Sequence, residues 1–343
     1  MAFYDGLFNT LGLRDWCDAD KKEGPMTMDQ LLAQSRGGVT DTAWWDIPFP
    51  SLDNLNKACS SIGRTRDMTA AVENGFLAIK DGLKFVLDPI TQPLSWMLDG
   101  SLYAFNALPW WVIIPALLAL TFFVARSWST TIFVAVCFFF MAAIDHYSYA
   151  IQTLSIIFVC TFLCVLLGVP IGIAMSKNNS LQRGVIPVLD MLQTLPSFVY
   201  LIPLIFLFSV TESKLYGIAI ILYAIVPVIR LTDLGIRLVD KDVVEAANAF
   251  GMNGRQKLFG VEIPLALPNI MAGVNQTIMM ALAMVVIASL VSAPGLGVLV
   301  LRGIRSLELG VGLVSGFCIV LLAIILDRVS KASLARINVA QSN

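Results

Sequence analysis

After residue 107 the chain alternates long apolar runs with short polar intervals. The runs lie near 108–125, 128–144, 149–175, 185–210, 215–229, 266–292 and 309–326. Crossing about 30 Å of hydrocarbon takes roughly 20 helical residues, so these runs predict membrane-spanning helices, the second and fifth of them short. None shows the two-residue alternation of a membrane barrel, and a helix satisfies its own backbone hydrogen bonds in lipid. The pattern predicts an all-α integral membrane protein with about seven transmembrane helices.

Upstream the pattern is different. Between Phe76 and Met97 an apolar stretch is interleaved with Lys80, Asp81, Lys84 and Asp88, and Pro89 and Pro93 are expected to break any long helix there. Such a segment reads as an interfacial helix near 76–97, with Trp96, Trp110 and Trp111 at headgroup depth. Trp44 and Trp45 lie further upstream, among Asp41, Asp46 and prolines, and read as either a recognition surface or a loosely ordered anchor. No apolar core of a cleaved signal peptide is visible in the first 30 residues.

Charge sharpens the division. Residues 1–106 hold 9 Lys/Arg against 14 Asp/Glu, and residues 107–343 hold 14 against 10. The expected organisation is an outer N-terminal region at 1–106, a transmembrane domain at 107–330 and a cytoplasmic tail at 331–343. With the N-terminus outside, the inner segments hold eleven Lys/Arg and the outer ones three, Lys214, Arg302 and Arg305. Positive segments stay cytoplasmic, so the expected orientation is N-terminus out and C-terminus in.

Composition excludes other classes. At 57% hydrophobic and 14% charged, with a mean hydropathy of +0.78, a water-soluble enzyme is ruled out. The net charge of −1 gives no basic footprint for nucleic acid. A single histidine, His146, and six cysteines without a CxxC pair point to no metal site. Cys17 and Cys59 are able to pair if their segment faces an oxidising compartment, but free thiols are the expectation.

The longest polar interval after residue 107, Arg230 to Glu262, is not loop-like. Val243, Val244, Ala247, Phe250, Leu258 and Phe259 recur at near-helical spacing, which predicts two short helices broken at Gly251 and Gly254. The run Glu245-Ala246-Ala247, three residues, Gly251, nine residues and Val261-Glu262-Ile263-Pro264 resembles the EAA loop of ABC-importer permeases. Val261 and Ile263 depart conservatively from that family's isoleucine and leucine. The stretches 189–200 and 272–289 resemble the glycine betaine, proline-betaine and choline branch of the family.

The resemblance implies a permease subunit of an ATP-driven, binding-protein-dependent importer for a compact quaternary or methylated amine, such as glycine betaine, choline, carnitine or trimethylamine N-oxide. It implies a cytoplasmic coupling helix in the EAA loop, 240–264, with Glu245, Ala246, Ala247, Gly251 and Pro264 as the ATPase-coupling residues. It also implies the partners: an ATP-binding subunit, an extracytoplasmic substrate-binding protein, a second copy of the chain and the lipid of a bacterial inner membrane. The chain itself needs no cofactor, and without a G-x4-G-K-[ST] loop it leaves ATP and magnesium to the ATPase. A permease of another importer branch, for methionine or amino acids, and an ion-coupled secondary transporter are the alternatives.

Polar residues within the runs are the candidate translocation path: Asp190, Gln193, Tyr200, Asn275, Gln276 and Thr277. An ionised group at a helix centre costs about 2.5 to 3.5 kcal/mol on insertion scales. Asp190 therefore reads as a gate or interhelical bond at the inner mouth, or as a first-turn carboxylate that water satisfies. Asn275, Gln276 and Thr277 are expected to face protein or a watery path, or to bond neighbouring helices. Phe198, Tyr200 and Phe206 offer aromatic faces to an ammonium. Pro170, Pro196, Pro203 and Pro227 are expected to kink their spans, and Gly168/Gly172 and Gly310/Gly312 to permit close helix approach.

Overall fold

The structure is a computed structural model that describes residues 2–13, 16, 17 and 49–342. Trp44 and Trp45 lie outside the described residues. Every element assigned among them is helical, and the chain divides into two units, 1–82 and 83–343.

In the first unit, α1 (Ala2–Thr10) and α2 (Leu52–Ala58) enclose a small core of Tyr4, Phe8, Cys17, Ala58 and Cys59. Ser51 caps α2, accepting from the Asn54 amide at 3.3 Å. Cys17 and Cys59 are joined by a disulfide across 42 residues of sequence, where free thiols had been expected. So small a core gains from the link, since closing a loop of that length removes about 4 kcal/mol of unfolded-chain entropy in the chain-entropy model.

Helix α3 (Thr65–Ala107) crosses the boundary between the units. Its 43 residues run through Pro89 and Pro93, where the sequence pattern had both prolines breaking it. The lost backbone bonds are offset by packing and polar contacts on the C-terminal half, where Leu94, Ser95 and Leu98 are buried. The chain then turns by 113° into α4 (Trp110–Ala125), which α5 (Trp128–Ala143) follows.

Among the described residues, four helical runs are long and apolar enough to cross a membrane. They are α6 (Tyr147–Lys177), α9 (Ser213–Arg237), the run Gly254–Val291 that contains α12 (Ile263–Ala288), and α14 (Leu309–Ser342) through Ser333. Two bent pairs qualify jointly, α3 with α4 and the pair that follows α6, while α5 is apolar but short. That second pair replaces the single fourth span expected at 185–210. Helix α7 (Asn179–Thr194) stops at Leu195, and the chain bends by 104° into a 3-10 turn, Ser197–Tyr200, and α8 (Leu201–Leu207). The cause is local: a residue before proline is pushed out of the α region, and Leu195, before Pro196, has ψ 135°. Pro170 and Pro227 sit inside unbroken α6 and α9.

Helix α9 is the centre of the second unit and packs most extensively on α12 and α6. Glycine makes this possible. A Cβ at Gly168 would lie 2.5 Å from Val228 Cγ1, and one at Gly172 would lie 2.7 Å from the Ile229 carbonyl oxygen. On the other side a Cβ at Gly273 would come within 3.1 Å of Val228 Cα. Lipid supplies no hydrophobic drive between helices, so such backbone contact is what holds them. Gly312 meets Gly303 of α13 (Leu296–Arg305), whereas Gly310 faces open space. Arg302 and Arg305 lie in the last turn of α13.

The N-terminal end of α9 is fixed by polar groups. Ser213 donates to Asp99 at 2.6 Å and shares a 2.9 Å bond with Ser95. Buried Lys214 pairs with Asp88 at 2.7 Å and Glu212 at 2.8 Å, 5.2 Å from the Phe208 ring centroid.

Cysteine counting tests the first unit. Denatured protein should take up four maleimide-polyethylene-glycol groups before reduction, at Cys137, Cys160, Cys164 and Cys318, and six after it. Six before reduction would show that Cys17 and Cys59 are not joined.

Candidate functional site: the 238–264 segment and the polar residues of the spans

Between α9 and α12 the chain builds a compact helical projection from start and stop signals. Asp240 caps α10 (Lys241–Ala249), accepting from the Asp242 amide at 3.0 Å. On α10, Glu245 and Ala246 are exposed and Ala247 is buried. The helix ends because Gly251 takes φ +75°, a left-handed conformation that costs other L-residues about 1–2 kcal/mol. The amides of Gly251 and Met252 then donate to the carbonyls of Asn248, at 3.0 Å, and Ala247, at 3.1 Å.

Gly254 begins a helix rather than breaking one. Asn253 and Gln256 form a capping box with two 2.9 Å bonds at the start of α11 (Gly254–Lys257). Lys257 Nζ donates to Asn248 Oδ1 at 3.0 Å, tying α11 back to α10. A π turn, Leu258–Glu262, leads directly into α12, with Pro264 at its start. The wider turn suits that position, since Pro264 has no N–H to give to an α-helical ladder. Apolar side chains stand out of the segment: Phe250 is 86% exposed, Phe259 68% and Leu238 64%.

The segment is tied at both ends to the corner where α6 meets α7. Arg237, in the last turn of α9, donates from Nε to Asp233 Oδ1 at 2.8 Å, from Nη1 to Asn179 Oδ1 at 2.8 Å and from Nη2 to the Met175 carbonyl at 2.7 Å. Gln182 Nε2 reaches the other Asp233 oxygen at 2.6 Å. At the far end buried Glu262 pairs with Lys177, the last residue of α6. Sequence reasoning missed this network. Only Asp233 and Arg237, four apart on one helix, carried a visible signal.

The polar residues of the spans fall in several environments. Asp190 pairs with Arg230 of α9, which is the interhelical bond among the sequence readings. It is not a first-turn carboxylate, because Asn178 caps α7 twelve residues earlier. Gln193 Nε2 lies 3.9 Å from Met280 Sδ. Asn275, Gln276 and Thr277 do not act as one set, since successive helix residues point about 100° apart. Asn275 Nδ2 donates to Asp327 Oδ1 of α14 at 3.2 Å, Gln276 is exposed and Thr277 is fully buried. Three oxygens here are buried without a protein partner: Tyr200 Oη, Asn275 Oδ1 and Thr277 Oγ1. Phe198 and Phe206 are more than one-third exposed.

The helical membrane body thus carries a capped, exposed helix between two long spans. The family model described as "Binding-protein-dependent transport system inner membrane component" matches residues 165–339, and the chain belongs to that family. Among relatives, it is 39% identical over 307 residues to the glycine betaine/proline betaine transport system permease protein ProW of Escherichia coli (strain K12), covering 88% of this chain and 84% of that one. It is 40% identical to the glycine betaine/carnitine transport permease protein GbuB of Listeria monocytogenes serotype 1/2a (strain 10403S), covering 71% of this chain and 87% of that one. A chain from a structure of the MetNI methionine ABC transporter, in inward facing conformations, shares the fold with a TM-score of 0.51 and 19% identity, over 56% of this chain and 95% of that one.

Proposed function

We propose that this permease subunit passes a compact methylated amine, of the glycine betaine, carnitine, choline or trimethylamine N-oxide type, from an extracytoplasmic binding protein into the cell. Two copies form the pathway, and an ATP-binding subunit that holds ATP and magnesium drives it from the cytoplasmic face. The observation that carries the reading is α10, an exposed helix with Glu245 and Ala246 outward, a glycine stop at Gly251 and apolar Phe250 beside it. A short helix capped at its start, stopped by Gly251 and tied to the spans behind it is suited to move as a rigid lever. Relatives named for glycine betaine, proline betaine and carnitine supply the solute class.

The path supports the same solute chemically. A quaternary ammonium has no hydrogen to donate, so it is solvated by oxygen dipoles and aromatic faces. The unpartnered oxygen of Tyr200 provides such a dipole, and Asp190, with Gln193 one turn further along α7, lies toward the break before Tyr200. The charge count and the Cys17–Cys59 disulfide support an outer N-terminal unit and an inner 238–264 segment, because such bonds persist in oxidising compartments. An impermeant maleimide should reach Glu73→Cys from outside and Ala335→Cys only from inside, in a chain whose four free cysteines are serine; the reverse labelling would invert the topology.

Reconstitution with the ATPase and binding protein tests the function. Uptake of labelled glycine betaine should require both partners and ATP, and Gly251→Leu should abolish uptake and binding-protein-stimulated hydrolysis while leaving membrane insertion intact. Full stimulation in that variant would remove α10 from the coupling. A binding protein that takes methionine and no methylated amine would replace the solute class.

A further inference from the structure

The 238–264 segment has two feet on one corner. Arg237, just before it, spans three elements with its guanidinium: Asp233 on α9, Asn179 on α7 and the Met175 carbonyl on α6. Glu262, at its other end, is 4% exposed and pairs with Lys177, the residue that closes α6. Both feet therefore stand on residues 175–182, where α6 gives way to α7. From that corner α7 carries Asp190 and Gln193 to the break at Leu195–Pro196, beyond which the Ser197–Tyr200 turn begins the other arm of the bent pair.

We propose that the α6–α7 corner receives the movement of α10 and passes it to the bend, and that Lys177 and Glu262 are the positioning residues that keep corner and segment moving together. This rests on reading 240–264 as the ATPase-coupling segment. A buried carboxylate stripped of its cation is strongly unfavourable, so the Lys177–Glu262 pair stays closed as the segment moves and drags the corner with it. The π turn that holds Glu262 fits such a task, since π turns occur often at functional sites and interrupt the regular ladder. A rigid α7 then turns about the extended residues at its end, a few element-terminal positions absorbing the dihedral change as hinges do. Asp190 and Gln193 are displaced relative to α12 as a result, which links hydrolysis to the path without any residue touching both.

The test is the number of solute molecules moved per ATP hydrolysed by the full complex in proteoliposomes. Glu262→Gln and Lys177→Gln should each lower that ratio at least about fivefold, the lower end of ordinary coupling energies. The charge-exchanged double variant, Lys177→Glu with Glu262→Lys, should return to within about twofold of wild type, because the pair is restored as a unit. Lys177→Arg, which keeps the charge, should behave as wild type. A pair that only stabilised the fold would change the amount of complex recovered and leave the ratio alone. Wild-type ratios in the single variants would overturn the proposal, as would an exchanged pair no better than either single. Should Glu262→Gln fail to accumulate, the half-exposed Lys177 carries the test alone through its Gln and Arg forms. A wild-type complex that moves no methylated amine with ATP would refute the functional reading itself, a different outcome.

Discussion

Close backbone contact around α9 is the constraint on which the second unit depends. Helices in lipid gain nothing by hiding apolar surface from one another, so association rests on how nearly their backbones meet and on the polar groups they share. Gly168 and Gly172 open α6, and Gly273 opens α12, to the Val228–Thr232 stretch of α9. Once that stretch is fixed, the charges of the same helix are fixed with it. Arg230 meets Asp190, and Asp233 and Arg237 meet Gln182 and Asn179. Lys214 at the opposite end meets Asp88 and Glu212. One helix therefore references both the far end of the bundle and the corner beneath the 238–264 segment.

The residues that could be read from sequence are those whose role is local. Gly251 was legible because a helix stop needs a residue that accepts positive φ, and the spans were legible because apolar run length is itself the signal. Gly168 and Gly172 were legible as a small-residue pair, although their partners were not. Length misled where local chemistry cut across it. Leu195 leaves the α region before Pro196 and breaks a run that hydrophobicity alone made continuous. Pro89 and Pro93 failed to break α3 because tertiary contacts at Leu94, Ser95 and Leu98 outweighed the lost bonds. A disulfide between Cys17 and Cys59 depends on two segments meeting, which spacing cannot encode.

The same division holds for the candidate site. Motif spacing placed Glu245, Ala246 and Ala247 on a helix and Pro264 at the end of the 240–264 loop. It could not show that Ala247 alone of the three is buried, nor that Gln276 points away from Asn275 and Thr277. The ties at the two ends of the segment, Lys177 with Glu262 and Arg237 with Asn179, join residues 85 and 58 positions apart. Nothing in either residue's own neighbourhood announces the partner.

Those ties make one claim above the others, that segment and corner form a single moving body while the bend beyond them flexes. Electron–electron distance measurements on the full complex address it directly, with one spin-label pair at Ser180 and Asp242 and a second at Ser180 and Ser209. Between the nucleotide-free and ATP-bound states the first distance should stay within about 2 Å while the second changes by more than that, the scale of helix shifts in switching proteins. A first distance that changes as much as the second would show that the segment moves without the corner, and would contradict the account.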